Sequence, residues 1–386
     1  MNIRPILWAF TLGGLALPAF GNPCLTKYHT GQADISTPTR YGLMLMGGGT
    51  DVDDAFRWLI QRSGGGDLVV LRSDGADGYN DYLYKELGGL NSVTTMVIQS
   101  REQAHCPEVL QRLRQAEALF FAGGDQSEYY RFWKDTPVHT AIAELAKKQT
   151  PMGGTSAGLA ILGEVIYSAE GESMQSTQVL DNPFHPELTL RNDFLKLPYM
   201  QAILTDSHFS ERKRQGRLLA FLARARFEKG FPSGLKGIGI DEETALLVEQ
   251  PTEGEYKEKT VGTVIGKGSV WFYRPGAKNP EVMGPQKPLT WSHAGQAIEV
   301  IKMPKQPFVP PDPTAAYLNL ADMFDLGAWT PLQGNYQELF FSAEAGVFKQ
   351  QLKTTPLKHN LSSRTAPERY NGDNVQQGKS TDDKHL

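Results

Sequence analysis

Between Tyr41 and Thr155, short unbroken apolar runs alternate with amphipathic stretches, and this alternation constrains the fold more than any other feature of the chain. Tyr41 to Met46, Leu68 to Leu71, Thr94 to Ile98 and Ala118 to Ala122 read as strands, and Pro151 and Met152 begin a brief strand into the serine turn. Asp53 to Arg62, Tyr79 to Leu87, Pro107 to Ala116, Gln126 to Trp133 and Val138 to Lys148 read as helices. Pro107 suits a first helical position, where its missing N–H is not needed. Apolar runs buried on both faces and joined by helices imply an α/β fold, a mostly parallel sheet with helices on both faces. Ligands of such sheets collect at the carboxyl ends of the strands. Turns at Gly47, Gly123 and Gly153 all fall at such ends, so they converge on one place.

After Glu249 the pattern changes. Thr260 to Ile265, Ser269 to Tyr273 and Ala297 to Met303 read as antiparallel strands added to the main body, giving a domain over residues 22–304. Residues 305–353 are expected to form a connector with four prolines between Lys305 and Thr314, then an appendage packed by Leu, Phe and Trp. The polar tail, residues 354–386, is expected to be disordered. At the other end, Arg4 precedes an uncharged apolar run from Pro5 to Phe20, followed by Gly21. Residues 1–21 therefore read as a signal peptide, with a secreted or periplasmic location for the mature chain and no stable membrane association after its removal. The alternative is a retained anchor. The two cysteines, Cys24 and Cys106, either pair in an oxidising compartment or remain thiols. Neither has the neighbours of a metal site. A net charge of −4 gives no reason to expect nucleic-acid binding.

Gly154-Thr155-Ser156-Ala157-Gly158 fits G-x-S-x-G, a strained strand-to-helix turn in which flanking glycines let neighbouring backbone approach a nucleophilic serine. The apolar Leu159 to Leu162 suits a buried helix whose N-terminus favours negative charge near Ser156. A Gly-rich turn that merely contains serine is the bland alternative. A nucleophilic serine needs a base. Among eight histidines, His208 alone stands at the end of a predicted strand, Gln201 to Thr205, while the rest lie in termini, loops or polar helical contexts. The base needs an orienting acceptor. Gly237 to Ile240 reads as a strand ending in Asp241, Glu242 and Glu243, with Glu242 or Asp241 placed to serve. The order Ser, His, acid argues against an α/β-hydrolase, which runs Ser, acid, His. It favours the architecture of class I glutamine amidotransferases with serine in place of cysteine.

Four linked segments carry a more specific resemblance. They are Gly123-Gly124-Asp125-Gln126, Gly153 to Gly158, Asp206 to Arg217 and Gly239-Ile240-Asp241-Glu242. In order and spacing, over roughly residues 40 to 300, they resemble the cyanophycinase-like serine peptidases, peptidase family S51. The resemblance implies Ser156 as nucleophile, His208 as base and Glu242 as its partner. It implies the Gly124 and Ala157 N–H groups as an oxyanion hole, with Gln126, Asp206 and Ser207 in the substrate pocket. No metal or organic cofactor is implied.

The family also implies a substrate. Cyanophycin is a poly-aspartate chain bearing arginine on each side-chain carboxyl, and these enzymes release β-aspartyl-arginine dipeptides. Arg212, Arg214 and Arg217 suit its free carboxylate, since guanidinium binds carboxylate in a fork. A helix is expected to put Arg214 and Arg217 on one side, with Arg212 in its first turn. Ser207 departs from the family pattern, which carries glutamine between the aspartate and the histidine. That difference leaves room for an aspartyl dipeptidase or another small-peptide hydrolase. A non-catalytic binding protein on the same fold is the remaining alternative, and a homodimer is compatible with the family.

Overall fold

The computed structural model describes residues 24–304 and 322–353. The expected signal peptide at 1–21, the proline-rich connector from Lys305 to Thr314 and the tail at 354–386 lie outside the described residues. Within them the chain forms two large sheets. The first has ten strands, and its heart is parallel: Ser92–Val97, Asp67–Arg72, Ala118–Phe121, Met152–Thr155 and Leu43–Met46, in that order. These are the apolar runs read from the sequence, with bounds shifted by one or two residues.

Alternation along these strands explains why helices cover both faces. Met44, Met46, Leu68, Val70 and Phe120 point to one side, where helix Asp53–Arg62 packs Ala55, Phe56, Leu59 and Ile60 onto them. Leu43, Leu45, Val69, Leu71, Leu119 and Phe121 point to the other. Helices Pro107–Gln115 and Pro137–Lys147 bury Val109, Leu113, Val138, Ile142 and Leu145 there. Each of these side chains, fully buried, is worth roughly 1.5–3 kcal/mol. The stretch expected as one helix from Tyr79 to Leu87 is instead a short α-turn, Gly78–Asp81, followed by a π-helix, Tyr82–Leu87.

Antiparallel strands extend the parallel heart at both ends. Thr26–Gly31 pairs with Ser92–Val97 at one edge, and the Cys24–Cys106 disulfide fastens the start of that strand to the helical layer. At the other side Thr244–Glu249, Val261–Gly266, Asp322–Asp325 and Thr330–Gln333 follow in sequence.

The second sheet has six strands, in the order Val347–Leu352, Gln337–Glu344, Ile298–Pro304, Ser269–Pro275, Lys236–Ile240 and Ile203–Asp206. Only the last two run parallel. Residues 322–353, read from sequence as part of an appendage, thus supply two strands to each sheet. Strand Lys236–Ile240 shows how the second sheet is built. Ile238 and Ile240 face the larger core with Val270 and Phe272. On the opposite face Gly237 and Gly239 leave room for Leu218 and for the Phe209 ring, which would stand 2.6 Å from a Cβ at Gly239. Helix Gln215–Ala225 covers that face with Leu218, Phe221 and Leu222.

Candidate active site

The site lies where the two sheets meet. Ser156 follows the first-sheet strand Met152–Thr155, and His208 follows the second-sheet strand Ile203–Asp206. Glu242 sits in the short turn that carries the chain from second-sheet strand Lys236–Ile240 into first-sheet strand Thr244–Glu249.

Ser156 has φ 53° and ψ −114°, a conformation that costs of order 1–3 kcal/mol and persists only where its surroundings fix it. The flanking glycines allow this: a Cβ at Gly154 would stand 2.5 Å from the Gly158 carbonyl oxygen, and one at Gly158 would strike the Phe121 carbonyl. The expected helix after the turn is a single turn, Ala157–Ala160. It therefore contributes free N–H groups at its start more than an extended dipole. Ala157 and Gly124 both line the cavity in front of Ser156.

Ser156 Oγ lies 2.7 Å from His208 Nε2, and His208 Nδ1 lies 2.6 Å from Glu242 Oε1. A carboxylate opposite Nδ1 requires that nitrogen to donate, which leaves Nε2 to accept from the serine hydroxyl. Burial lowers the His208 pKa, with Arg212 and Arg214 adding to the effect and the Glu242 hydrogen bond opposing it. The imidazole is thus neutral at neutral pH, the state a base requires. Glycines of the first sheet make room for the pair. The His208 ring occupies the space a Cβ of Gly48 would need, and Glu242 Cβ lies 3.0 Å from that position on Gly49. The His208 N–H donates to the Gly47 carbonyl at 2.7 Å, and the Glu243 N–H to the Gly48 carbonyl at 2.8 Å.

The three neighbouring carboxylates differ in employment. Asp241 is buried and accepts from Ser210 N and Oγ, Ser269 N and Trp271 Nε1, so it staples strands of the second sheet together. Glu243 turns outward to pair with Lys267. Only Glu242 reaches His208.

A cavity of about 250 Å³ opens in front of Ser156, lined among others by Gln126, Tyr167, Ser173, Asp206 and Ser207, and by Arg212, Arg214 and Arg217. The three arginines are not equivalent. Arg217 is only 2% exposed and forks onto Asp206, with Nε to Oδ2 at 3.0 Å and Nη2 to Oδ1 at 2.5 Å. Its Nη1 donates to the Met174 carbonyl at 3.0 Å, and Tyr167 and Phe221 flank the guanidinium. Its fork is thus taken by the protein itself, which corrects the expectation that it grips a substrate carboxylate. Asp206 is likewise an internal anchor and not an open acceptor. Arg214 donates to the Ser207 carbonyl at 2.9 Å and approaches Asp206 at 3.4 Å. Burial brings its pKa down to about 10, which still leaves it charged. Arg212 is exposed at the cavity and engages no acceptor among the described residues. The helix begins at Gln215, so Arg214 stands at the position just before it and Arg212 lies in the preceding turn, outside the helical face expected from spacing.

The model of peptidase family S51 matches residues 72–253, a span that holds Ser156, His208 and Glu242 in the order and geometry described above. Over these residues the chain resembles peptidase family S51. It is a serine-type peptidase. A cyanophycinase from Synechococcus elongatus is 28% identical over 247 residues, covering 61% of this chain and 68% of that protein. A cyanophycinase from Trichormus variabilis is 30% identical over 212 residues, covering 54% of this chain and 62% of that one. The crystal structure of a peptidase from an acI-B1 actinobacterium is 18% identical with a TM-score of 0.42, over 60% of this chain and 90% of that one. Sequence reading of this peptidase missed the cavity wall at Tyr167, Ala169, Gly171 and Ser173, for which no local signal exists. The Gly47-Gly48-Gly49 run was visible as a strand end, but its role against His208 and Glu242 needs the second sheet to be seen.

Proposed function

We propose that this peptidase is a secreted exopeptidase that hydrolyses cyanophycin to β-Asp-Arg dipeptides through an acyl-enzyme at Ser156. The observation that carries the reading is the unbroken hydrogen-bonded chain from Ser156 through His208 to Glu242, opening onto a cavity edged by Arg212 and Arg214. His208 Nε2 takes the Ser156 proton as Oγ bonds to the substrate carbonyl carbon. The carbonyl oxygen becomes an oxyanion facing the Gly124 and Ala157 N–H groups, and Glu242 balances the imidazolium. Collapse breaks the C–N bond, and His208 returns its proton to the leaving amine. Water then loses a proton to His208, attacks the ester and frees a carboxylate and the serine hydroxyl. No step calls for a cofactor.

Substrate choice rests on charge. Arg212, with no acceptor among the described residues, and Arg214 offer guanidinium donors to the free carboxylate of each cyanophycin unit. At about 250 Å³ the cavity is smaller than the ~300–1,000 Å³ of most small-molecule sites, which suits a terminal unit more than a long stretch of polymer. Two features support action outside the cytoplasm: the apolar segment after Arg4, and the Cys24–Cys106 disulfide, a bond that persists in oxidising compartments.

Mass spectrometry of products from insoluble cyanophycin, set beside Asp-X dipeptides, tests the assignment. Release of β-Asp-Arg is expected. Ser207 favours a second reading, an aspartyl dipeptidase, because its short side chain leaves the acceptor region differently shaped from a glutamine site. Cleavage of dipeptides without β-Asp-Arg release would select it. A serine-reactive phosphonate is expected to label the protein and to fail with Ser156→Ala; absence of labelling on folded protein would turn the reading toward a binding protein.

A further inference from the structure

We infer that Tyr129 is a positioning residue for the oxyanion site, acting through the Gly123–Gly124 peptide. The inference rests on the reading of Ser156 as nucleophile and of the Gly124 N–H as a donor to the oxyanion. Tyr129 lies on helix Gln126–Trp133, fully buried, and its ring stacks on Trp133 with centroids 4.4 Å apart. Its hydroxyl donates to the Ala122 carbonyl at 2.7 Å and is shared with the Gly123 carbonyl at 3.2 Å. Burial raises the phenol pKa, so the hydroxyl keeps its proton and remains a donor.

The geometric consequence follows from the planarity of the trans peptide. Its C=O and N–H point in opposite directions, and rotating one rotates the other. Tyr129 draws the Gly123 carbonyl toward the buried interior, which turns the Gly124 N–H toward the cavity that Gly124 lines. The same turn faces the nucleophile: a Cβ at Gly123 would lie 3.4 Å from Ser156 Cβ. Gly124 has φ +148°, a region open to glycine, so the peptide has little intrinsic preference to hold it in this orientation. A diglycine turn needs an external restraint to present a fixed donor, and the Tyr129 hydroxyl supplies it. Donors fixed before the reaction stabilise an oxyanion without reorganising during it.

Tyr129→Phe keeps the ring and its stacking and removes only the hydroxyl. The expected result is a kcat lowered about tenfold with KM within twofold, a fraction of the 10²–10³ that follows outright loss of an oxyanion donor. Affinity for a peptidyl boronic acid, which forms a tetrahedral adduct on the serine, should fall by a similar factor. Binding of uncleaved substrate, measured in a Ser156→Ala background, should be unchanged. 4-Aminophenylalanine at 129, which retains a weaker donor, should give kcat and boronate affinity between those of Tyr129→Phe and the parent. A folded Tyr129→Phe protein with kcat within twofold of the parent overturns the inference, as does an equal loss in substrate and boronate binding. If Tyr129→Phe does not fold, 4-aminophenylalanine is compared with the parent protein directly. Its weaker donor should lower kcat and boronate affinity in parallel, and unchanged values count against the proposal. Failure of the underlying reading looks different, because the parent protein itself would then neither turn over peptide nor bind boronate.

Discussion

The two sides of the candidate site are built by different means. Ser156 is fixed locally: its strained turn is enforced by Gly154 and Gly158 packing against backbone within a few residues or on the adjacent strand. His208 and Glu242 are fixed at a distance. They belong to the second sheet and its exit turn, and they meet the serine only because Gly48 and Gly49 of the first sheet admit their side chains, while the Gly47 and Gly48 carbonyls accept from the His208 and Glu243 N–H groups. The nucleophile is therefore a property of one turn, and the base and acid are a property of how two sheets join. Damage to the first should abolish chemistry and leave folding alone, whereas damage to the second should couple activity to stability.

Ser156→Ala gives the largest expected effect. Its kcat should fall by about 10⁶-fold, as for loss of a nucleophile in other serine hydrolases, with a melting curve close to the parent's. Arg217→Ala tests the second side. It removes the forked partner of buried Asp206 and leaves only the longer Arg214 contact and the Ser207 N–H, and chemical denaturation should show a loss of about 3–5 kcal/mol. A loss below 1 kcal/mol would mean that the pair is not what holds the His208 strand end. Gly48→Ala strikes the junction itself. With the His208 ring in the way of the new methyl group, kcat should drop about 10²-fold, as a misplaced catalytic geometry does, while Ser156 still reacts slowly with a phosphonate.

The smallest effect concerns pH. His208 must be neutral to accept a proton, and its pKa is held below the ordinary 6.5 chiefly by burial, with help from Arg212 and Arg214. The rate kcat/KM should therefore rise with pH along an acid limb whose midpoint lies below 6.5. Removing the Arg212 charge in Arg212→Ala should move that midpoint upward by a fraction of a unit. A midpoint unchanged or shifted downward would show that Arg212 does not act on the base.

The contrast between the two sides also explains what could be read in advance. The serine turn and the helix Asp53–Arg62 are encoded by spacing within a dozen residues, and the parallel strands by apolar runs too short to be anything else. Sequence reasoning reached His208 through its place at a strand end, but left Asp241, Glu242 and Glu243 as a choice. Their roles separate only when Ser210, Ser269 and Trp271 close around Asp241. Strand Thr244–Glu249 was hidden because it restarts within three residues of the previous strand while changing sheets. Arg217 read as a ligand-seeking cation because a charge on a helix face looks the same whether its partner is substrate or a buried aspartate. Residues 322–353 looked like an appendage because their partners, such as Val261–Gly266 and Ile298–Pro304, are distant in sequence.

The strand Thr26–Gly31 was invisible for another reason: its polar, half-exposed side chains carry no apolar signal. Its position gives it a protective value. The parallel heart would otherwise end at Ser92–Val97, a fully buried strand whose free backbone groups would template pairing with a neighbouring molecule. A hydrophilic strand laid over that border, and held by a covalent link between residues 82 positions apart, closes the template with a surface that repels further addition. Such a sealed border is a built-in defence against edge-to-edge aggregation.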